Sequence, residues 1–161
     1  MRKSVILVFV LFYGIFSYSQ KGKDIDYDEY EVKFVSTGVQ GTELIKVYTY
    51  CKKEQDCISQ SKLKAIESIL FRGIPGSGSS QPMISDFDAR EKHKDFFAEF
   101  FKDEGRYLEF VSVSNDGSIS PGDRLKVGKY LKIGVILQVQ KTELRKFLEQ
   151  KGIIKKLGEG F

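Results

Sequence analysis

The sequence predicts an α+β fold in which a mainly antiparallel sheet carries helices packed on one face, in the order β-β-α-α-β-β-α. Two observations support this class. Some segments place apolar side chains at every second position, whereas others repeat them every three or four positions. Short Gly-containing turns join neighbouring strand-like segments, and the helical segments are grouped between them. That arrangement favours antiparallel strand pairs, because parallel pairs need long crossovers.

The first hairpin is predicted to begin just after residue 29. Apolar and charged side chains alternate over residues 30–34, which is the pattern of a half-exposed strand. Gly38 and Gly41 interrupt that pattern and predict a turn. Residues 44–51 (LIKVYTYC) are rich in β-branched and aromatic side chains, so we expect a second strand that pairs with the first.

The first helix is predicted directly after this hairpin. Asp56 is a suitable N-cap, and apolar residues recur at helical spacing over 58–70. Gly73 and Pro75 are expected to end the helix.

A second helix is predicted to start near Asp86 or Asp88 and to run to about Asp103. It carries a wide apolar stripe at positions i, i+1, i+4 and i+5, formed by Phe96, Phe97, Phe100 and Phe101. Such a stripe can line a ligand pocket, but at helical spacing it more often packs into a core.

Two strands and one helix complete the predicted domain. Residues 107–113 (YLEFVSV) predict a strand, and residues 127–139 predict the longest strand, with apolar side chains at most odd positions. Thr142 is a suitable N-cap for the last helix, and Lys151 with Gly152 suits its C-terminus.

The N-terminus has the three-part layout of a cleaved secretory signal. Arg2 and Lys3 give a cationic start, an apolar run follows, and Ser17 and Ser19 precede an expected cut ahead of Gln20. The alternative is a membrane anchor, but the run of about a dozen apolar residues is short of the ~20 needed to span a bilayer. We therefore expect a signal peptide over 1–19, a flexible leader over 20–28 and a single α+β domain over 29–161. The predicted location is periplasmic or secreted.

The charge balance argues against a nucleic-acid partner. The whole chain has a formal net charge of +4, and removing the two cations Arg2 and Lys3 lowers that of the mature chain to +2. A nucleic-acid-binding domain is expected to carry a concentrated basic face. The sequence thus predicts no nucleic-acid partner. Separately, no transmembrane segment is predicted in the mature chain.

Cys51 and Cys57 are the two cysteines of the chain. In an oxidising compartment they can form a disulfide bond, and their spacing is unlike the C-x-x-C of redox enzymes and zinc sites. The alternative is a pair of small buried thiols near a strand end and a helix start. The sequence leaves both interpretations open, because the distance between the two Cα atoms decides between them.

Residues 73–80 (GIPGSGSS) resemble a phosphate-binding loop, but the chemistry is incomplete. Ser79 stands where the motif needs Lys, and the loop follows a helix rather than a strand. Pro82 also disfavours a helix directly behind the loop, so no helix N-terminus would face a phosphate. A surface loop is the better interpretation.

No catalytic, cofactor-binding or metal-ligating residue is predicted. His93 is the single histidine of the sequence and has no second His at metal-ligand spacing. Glu91 and Asp95 share a helical face, but the interleaved Lys92 and Lys94 favour ordinary solvation of that face.

Two segments are candidate interaction surfaces. In the Gly/Ser loop, glycines provide backbone freedom, serines provide hydrogen bonds and a Met-Ile pair provides an apolar anchor. Residues 122–129 place three cations at the entrance to the longest strand, although Lys at a strand end also protects against edge-to-edge pairing. The candidate interaction residues are Gly76, Ser77, Gly78, Met83, Arg124, Lys126 and Lys129.

The signal, the Lys-rich composition and the short Gly-punctuated strands resemble those of small uncharacterised secreted proteins of Bacteroidota-type bacteria. The order of elements, a hairpin followed by the helix over 58–72, is also similar to that of periplasmic α/β modules of flagellar or curli assembly factors. Unlike envelope lipoproteins, the chain has no lipid-acceptor Cys at the expected cut. Neither resemblance assigns an activity or a functional residue.

The leading prediction is an exported non-enzymatic envelope protein that acts in protein–protein interaction or assembly, with another envelope protein as its partner. The alternative is a periplasmic enzyme or small-ligand binder that uses the 73–93 region, including Asp86, Asp88 and His93. A pocket with converging polar groups beside that region would favour the alternative.

Overall fold

Five strands and four helices form the part of the chain that the computed structural model describes, residues 29–77, 80–114 and 118–156. The strands are β1 (Glu31–Thr37), β2 (Glu43–Cys51), β3 (Val111–Val113), β4 (Arg124–Val127) and β5 (Tyr130–Val139). The helices are α1 (Glu54–Phe71), α2 (Ala89–Lys92), α3 (Lys94–Phe101) and α4 (Lys141–Gln150). The predicted signal and leader lie outside the described residues.

Every strand pair in the sheet is antiparallel, as predicted. The order runs β1-β2-β5, and the far side of β5 is shared by two short strands. β3 pairs with the C-terminal end of β5 and β4 with its N-terminal end. In β1, a bulge shifts the register between Phe34 and Ser36, so that Val35 has no partner in β2.

The helices and one face of the sheet together form one hydrophobic core. Odd-numbered residues of β2 and β5 point to this helix-covered face, and side chains from α1, α3 and α4 join the same cluster. The core members that are fully buried include Ile45, Val47, Ile66, Leu70, Ile133, Leu137, Leu144 and Leu148. The predicted α+β class, with helices on one face of an antiparallel sheet, is confirmed.

Two predicted helix caps are wrong. α1 begins at Glu54 with Lys53 at the N-cap, so Asp56 lies in the first turn, where a carboxylate still interacts favourably with the helix dipole. α4 begins at Lys141, and Thr142 lies one residue inside it. Both helices start within two or three residues of the end of a strand, earlier than predicted, so the predicted cap residues lie inside the helices.

The single helix predicted from residue 86 or 88 to 103 is instead two helices. α2 ends at Lys92 and α3 begins at Lys94, because His93 between them has the non-helical angles φ −119° and ψ 35°. The predicted Phe stripe lies in α3. Phe97 and Phe100 are buried in the core, and Phe96 and Phe101 pack against it.

The strand predicted over 107–113 is also corrected. Residues Arg106–Phe110 form a 3-10 helix, and only β3 is extended. Tyr107 and Phe110 are both buried. Side chains three residues apart share a face in a 3-10 helix with three residues per turn, but lie on opposite faces of a strand. Burial of both rings therefore favours the 3-10 helix.

The long strand predicted from Val127 is divided by a tight hairpin. Val127 ends β4 and pairs with Tyr130 at the start of β5. Gly128 between them has φ +60°, a left-handed conformation that suits glycine. The remainder of the predicted strand, Tyr130–Val139, forms β5.

A disulfide bond joins Cys51 to Cys57, with the two Cα atoms 5.3 Å apart. Cys51 is the last residue of β2 on the helix-covered face, and Cys57 lies in the first turn of α1. The bond thus fixes the start of the longest helix against the end of a central strand.

Candidate binding face of the sheet

The sheet face opposite the helices carries a concentrated group of lysines and tyrosines. Directly opposite residues in an antiparallel pair project to the same side, so the strand register defines the members of this face. Glu31 pairs with Tyr48, Lys33 with Lys46, and Tyr50 with Lys132. We call this surface the open face, and its central members are Glu31, Lys33, Lys46, Tyr48, Tyr50 and Lys132.

Tyr48 is the centre of the open face because its ring lies against Gly134 of the neighbouring strand. The two residues are paired in the β2–β5 register. A Cβ atom placed on Gly134 would lie 2.5 Å from Cε1 of Tyr48, well inside van der Waals contact. Gly134 thus leaves the space that the tyrosine ring occupies.

Three lysine ammonium groups surround the Tyr48 ring. The Nζ atoms of Lys132, Lys33 and Lys46 lie 5.2, 5.3 and 6.0 Å from the ring centroid. These distances are in the range of cation–π attraction, which helps to hold several cations near one ring. The lysines come from three adjacent strands, so the group depends on the assembled sheet.

Asp123 anchors one side of this group. It ends the 3-10 helix Pro121–Asp123, and its carboxylate accepts hydrogen bonds from Lys46 Nζ at 2.8 and 3.0 Å and from the Tyr48 hydroxyl at 3.0 Å. The hydrogen bond from Lys46 lowers the pKa of Asp123, and the same bond raises the pKa of Lys46. The contact fixes both the ring and one ammonium group.

The other two lysines are less constrained. Lys33 has 57 % of its side chain exposed and pairs with Glu31 at 3.0 Å, while Lys132 approaches the same carboxylate at 3.7 Å. At the centre of the open face, two acids, Glu31 and Asp123, face three cations, and a third acid, Glu29, lines a cavity at its edge together with Tyr48 and Lys132. The ammonium groups beside the Tyr48 ring suit an anionic group on a binding partner.

The described residues of the Gly/Ser loop and its flank differ in their exposure. Gly76 is exposed with open space around it, and the Ser77 hydroxyl donates to the carbonyl oxygen of Ile74 at 2.8 Å. Met83 is partly buried against the core, and its backbone N–H donates to the Ile69 carbonyl at 2.9 Å. The Met83 side chain thus stabilises the fold instead of standing free as an anchor. Gly78 lies outside the described residues.

Arg124 and Lys126 of the predicted cationic segment do not join the open face, whereas Asp123 and Leu125 of the same segment lie on it. Arg124 and Lys126 pair with Ile133 and Leu131, whose side chains point to the helix-covered side. Arg124 forms a salt bridge to Glu54 at the start of α1. Lys129 lies in the hairpin turn, with its ammonium 5.4 Å from the Tyr130 ring.

The three polar residues named for the alternative site, Asp86, Asp88 and His93, stand apart from the cavity beside the Gly/Ser loop. Asp86 bonds to Lys92 at 2.7 Å and to the backbone N–H of Asp88 at 3.0 Å. A cavity of about 350 Å³ lies beside Gly73 and Pro75 of the 73–93 region, and its other lining residues come from β1, its flank and the end of α1. Asp86, Asp88 and His93 are not part of that lining.

Metal-binding clusters and membrane-spanning helices are both absent from the described part of the chain. Across 29–77, 80–114 and 118–156, no three His, Cys, Asp or Glu side chains form a group that could hold a metal ion. Over the same ranges, no helix combines the length and the apolar character needed to cross a membrane.

Comparison of the chain with protein-family models, curated proteins and solved structures gave no significant match. The two resemblances proposed from the sequence therefore stay predictions.

The central residues of the open face were not among the interaction residues predicted from the sequence. The signal was present in residues 44–51, where Lys46, Tyr48 and Tyr50 alternate with Ile45, Val47 and Thr49. Lysines and tyrosines in succession on one side of a strand indicate a polar aromatic surface. Asp123 and Gly134 gave no such signal, because their roles depend on strand register.

Proposed function

We propose that this chain is an exported non-enzymatic envelope protein that binds another envelope protein through the open face of its sheet. The observation that carries the proposal is the Tyr48 ring, which lies against Gly134 and is surrounded by three lysines. A preorganised aromatic ring loses little conformational entropy on binding, and tyrosine is enriched at interfaces for that reason.

The chemistry of the open face favours an acidic segment as the partner's contribution. Lys33 and Lys132 share a single carboxylate, that of Glu31. A carboxylate of a partner would find an ammonium group that is incompletely neutralised, next to apolar ring surface. The resulting interaction should weaken as salt increases, because surface charges are screened.

Export is supported by two features of the chain. The N-terminal layout is that of a cleaved signal, and the Cys51–Cys57 disulfide is of a kind that persists in oxidising compartments. Together they favour a periplasmic or secreted location for the domain.

Site-specific photo-crosslinking in the native host tests the binding surface. A photoreactive residue at position 125 would report on the open face, because Leu125 is 59 % exposed and pairs with Lys132. The matched control places the same residue at Gln60, an exposed position of α1. We expect one discrete protein adduct from position 125 and none of that size from position 60.

A second variant in the same experiment tests the charge. Lys33→Gln combined with Lys132→Gln removes two cations without introducing a new charge. We expect at least a tenfold loss of the adduct. Lys52→Gln with Lys53→Gln is the control, because both residues are exposed and precede α1. Equal adducts from both double variants, or a measurable turnover by a solitary monomer, would contradict the proposal.

A further inference from the structure

A fully exposed phenylalanine stands apart from the open face. Phe87 is as exposed as it would be in an extended peptide, at 102 %. The turn that carries it is nevertheless ordered by Asp86. One Asp86 carboxylate oxygen accepts from the Asp88 N–H at 3.0 Å, the other from Lys92 Nζ at 2.7 Å, and the Asp86 carbonyl accepts from the Ala89 N–H at 3.2 Å. The ring is thus held outward by a hydrogen-bonded turn.

An aromatic groove lies elsewhere on the same chain, between α3, α4 and the 3-10 helix that starts at Arg106. Its floor contains stacked rings, with Phe96 and Phe100 centroids 5.6 Å apart and Phe100 and Phe147 centroids 5.9 Å apart. The cavity has a volume of about 350 Å³. We call this surface the aromatic groove, defined by Phe96, Phe100, Arg106, Phe147 and Lys151.

The rim of the aromatic groove is cationic on the Phe147 side. The Arg106 guanidinium lies 4.5 Å from the Phe147 ring centroid and is paired with Glu109, while Lys151 Nζ lies 6.0 Å from the same centroid. Within the described residues, no carboxylate forms a salt bridge with Lys151. The full lining, which also includes Glu99, Lys102 and Glu104, has three cations and two acids.

We propose that Phe87 of one copy of this chain inserts into the aromatic groove of a second copy, with Asp88 of the first copy facing Lys151 of the second. The two surfaces complement each other in both shape and charge. One is an outward ring flanked by carboxylates, and the other is a cavity lined by rings, with an ammonium group at its rim that no described carboxylate neutralises. Aromatic pairs and surrounding apolar burial provide the attraction, and the charges fix the orientation.

The expected association is weak. A single aromatic side chain buries roughly 150–250 Å², well below the ~800 Å² per partner of a standard stable interface. Because the ring and the groove are different surfaces, two copies can exchange rings about a two-fold axis, or successive copies can join head to tail. Either arrangement makes the mass of the assembly depend on protein concentration.

Sedimentation velocity of the mature chain tests the proposal, over roughly 10 µM to 1 mM, the range in which weak interfaces saturate. We expect the average mass to rise with concentration. Phe87→Ala should reduce the association constant at least tenfold, with an unchanged melting temperature because the ring is fully exposed. The matched control is Val39→Ala, which truncates another apolar side chain that is 78 % exposed. This variant should associate like the parent chain.

A complementation experiment separates ring and groove. Phe87→Ala retains an intact groove, whereas Lys151→Glu retains an intact ring but reverses the charge at the rim. Each variant alone should associate more weakly than the parent chain, and an equimolar mixture should associate more strongly than either variant alone and form one-to-one heterodimers. The proposal is overturned if the parent chain stays monomeric at every concentration, if Phe87→Ala associates like the parent, or if the mixture fails to associate.

Discussion

The two faces of the sheet are built from the same strands but are stabilised by different means. On the helix-covered face, Ile45 and Val47 of β2 are completely buried, as are Ile133 and Leu137 of β5. On the open face, Tyr48 is kept in place by Gly134 beneath it, by Asp123 and by surrounding lysines. The first face depends on the amount of apolar area removed from water, whereas the second depends on a few specific pairs. Substitutions on one face are therefore expected to leave the interactions of the other face intact.

The largest expected effect comes from opening a cavity on the helix-covered face. Leu137→Ala should lower the free energy of unfolding by about 2–5 kcal/mol, because Leu137 is fully buried and the surrounding residues relax only in part. Chemical denaturation measures the loss. Lys33→Ala on the open face is the comparison and should leave the denaturation midpoint close to that of the parent chain. Equal losses from the two variants would remove the distinction between the faces.

The disulfide gives the next largest effect on the helix-covered face. Replacing both Cys51 and Cys57 by Ala should lower the free energy of unfolding by about 2–3 kcal/mol on the loop-entropy model, because the unfolded chain regains freedom. Mass spectrometry of the parent protein, isolated without reductant, should first show the mass of the oxidised form. Two free thiols in that sample would refute the bond.

Gly134→Ala tests the packing of the open face. The new methyl group would overlap the Tyr48 ring, so we expect a loss of about 1–3 kcal/mol in stability. Tyr48→Ser in the same chain removes the overlap, and the double-mutant cycle should show coupling of at least about 0.5 kcal/mol. Strictly additive losses would mean that the ring does not rest on Gly134.

The smallest expected effect is the pH dependence of the Asp123 contact. The pKa of Asp123 is lowered by its hydrogen bond from Lys46, so the folded pKa is below the unfolded one. The contribution is therefore present above the unfolded pKa of about 3.9 and is lost as pH falls through the folded pKa. Asp123→Asn should cost about 0.5–1 kcal/mol at pH 7, because Asn removes the charge of this partly buried pair but can still accept a hydrogen bond from Lys46. The difference in unfolding free energy between the parent and Asp123→Asn should shrink below pH 4; a constant difference would contradict the assignment.

The sequence predicted the helix-covered face far better than the open face, and the reason is physical. Alternation along β5 is a local property of one strand, and it predicted the burial of Ile133, Val135 and Leu137 correctly. The contact between Tyr48 and Gly134 requires the register of two strands that are distant in the chain. Asp123 reaches the same site from a third segment. No pattern within one segment predicts that Tyr48, Gly134 and Asp123 lie in contact.

The errors in secondary structure have a related cause. Tyr107 and Phe110 lie in a segment with high strand propensity, but their common burial against the core favours a 3-10 helix. His93 interrupts an otherwise regular helical pattern without being a proline or a glycine. In both places tertiary packing or local backbone geometry overrides the preference of the isolated segment.

The borders of the sheet have a consequence for aggregation. A long straight strand at a sheet edge offers an unbroken row of backbone donors and acceptors to another chain. In this protein the bulge at Val35 interrupts one border, and the other is divided between the three residues of β3 and the four of β4. Neither border presents a long regular template for amyloid-like stacking. At high local concentration, the native protein is consequently protected against uncontrolled strand addition.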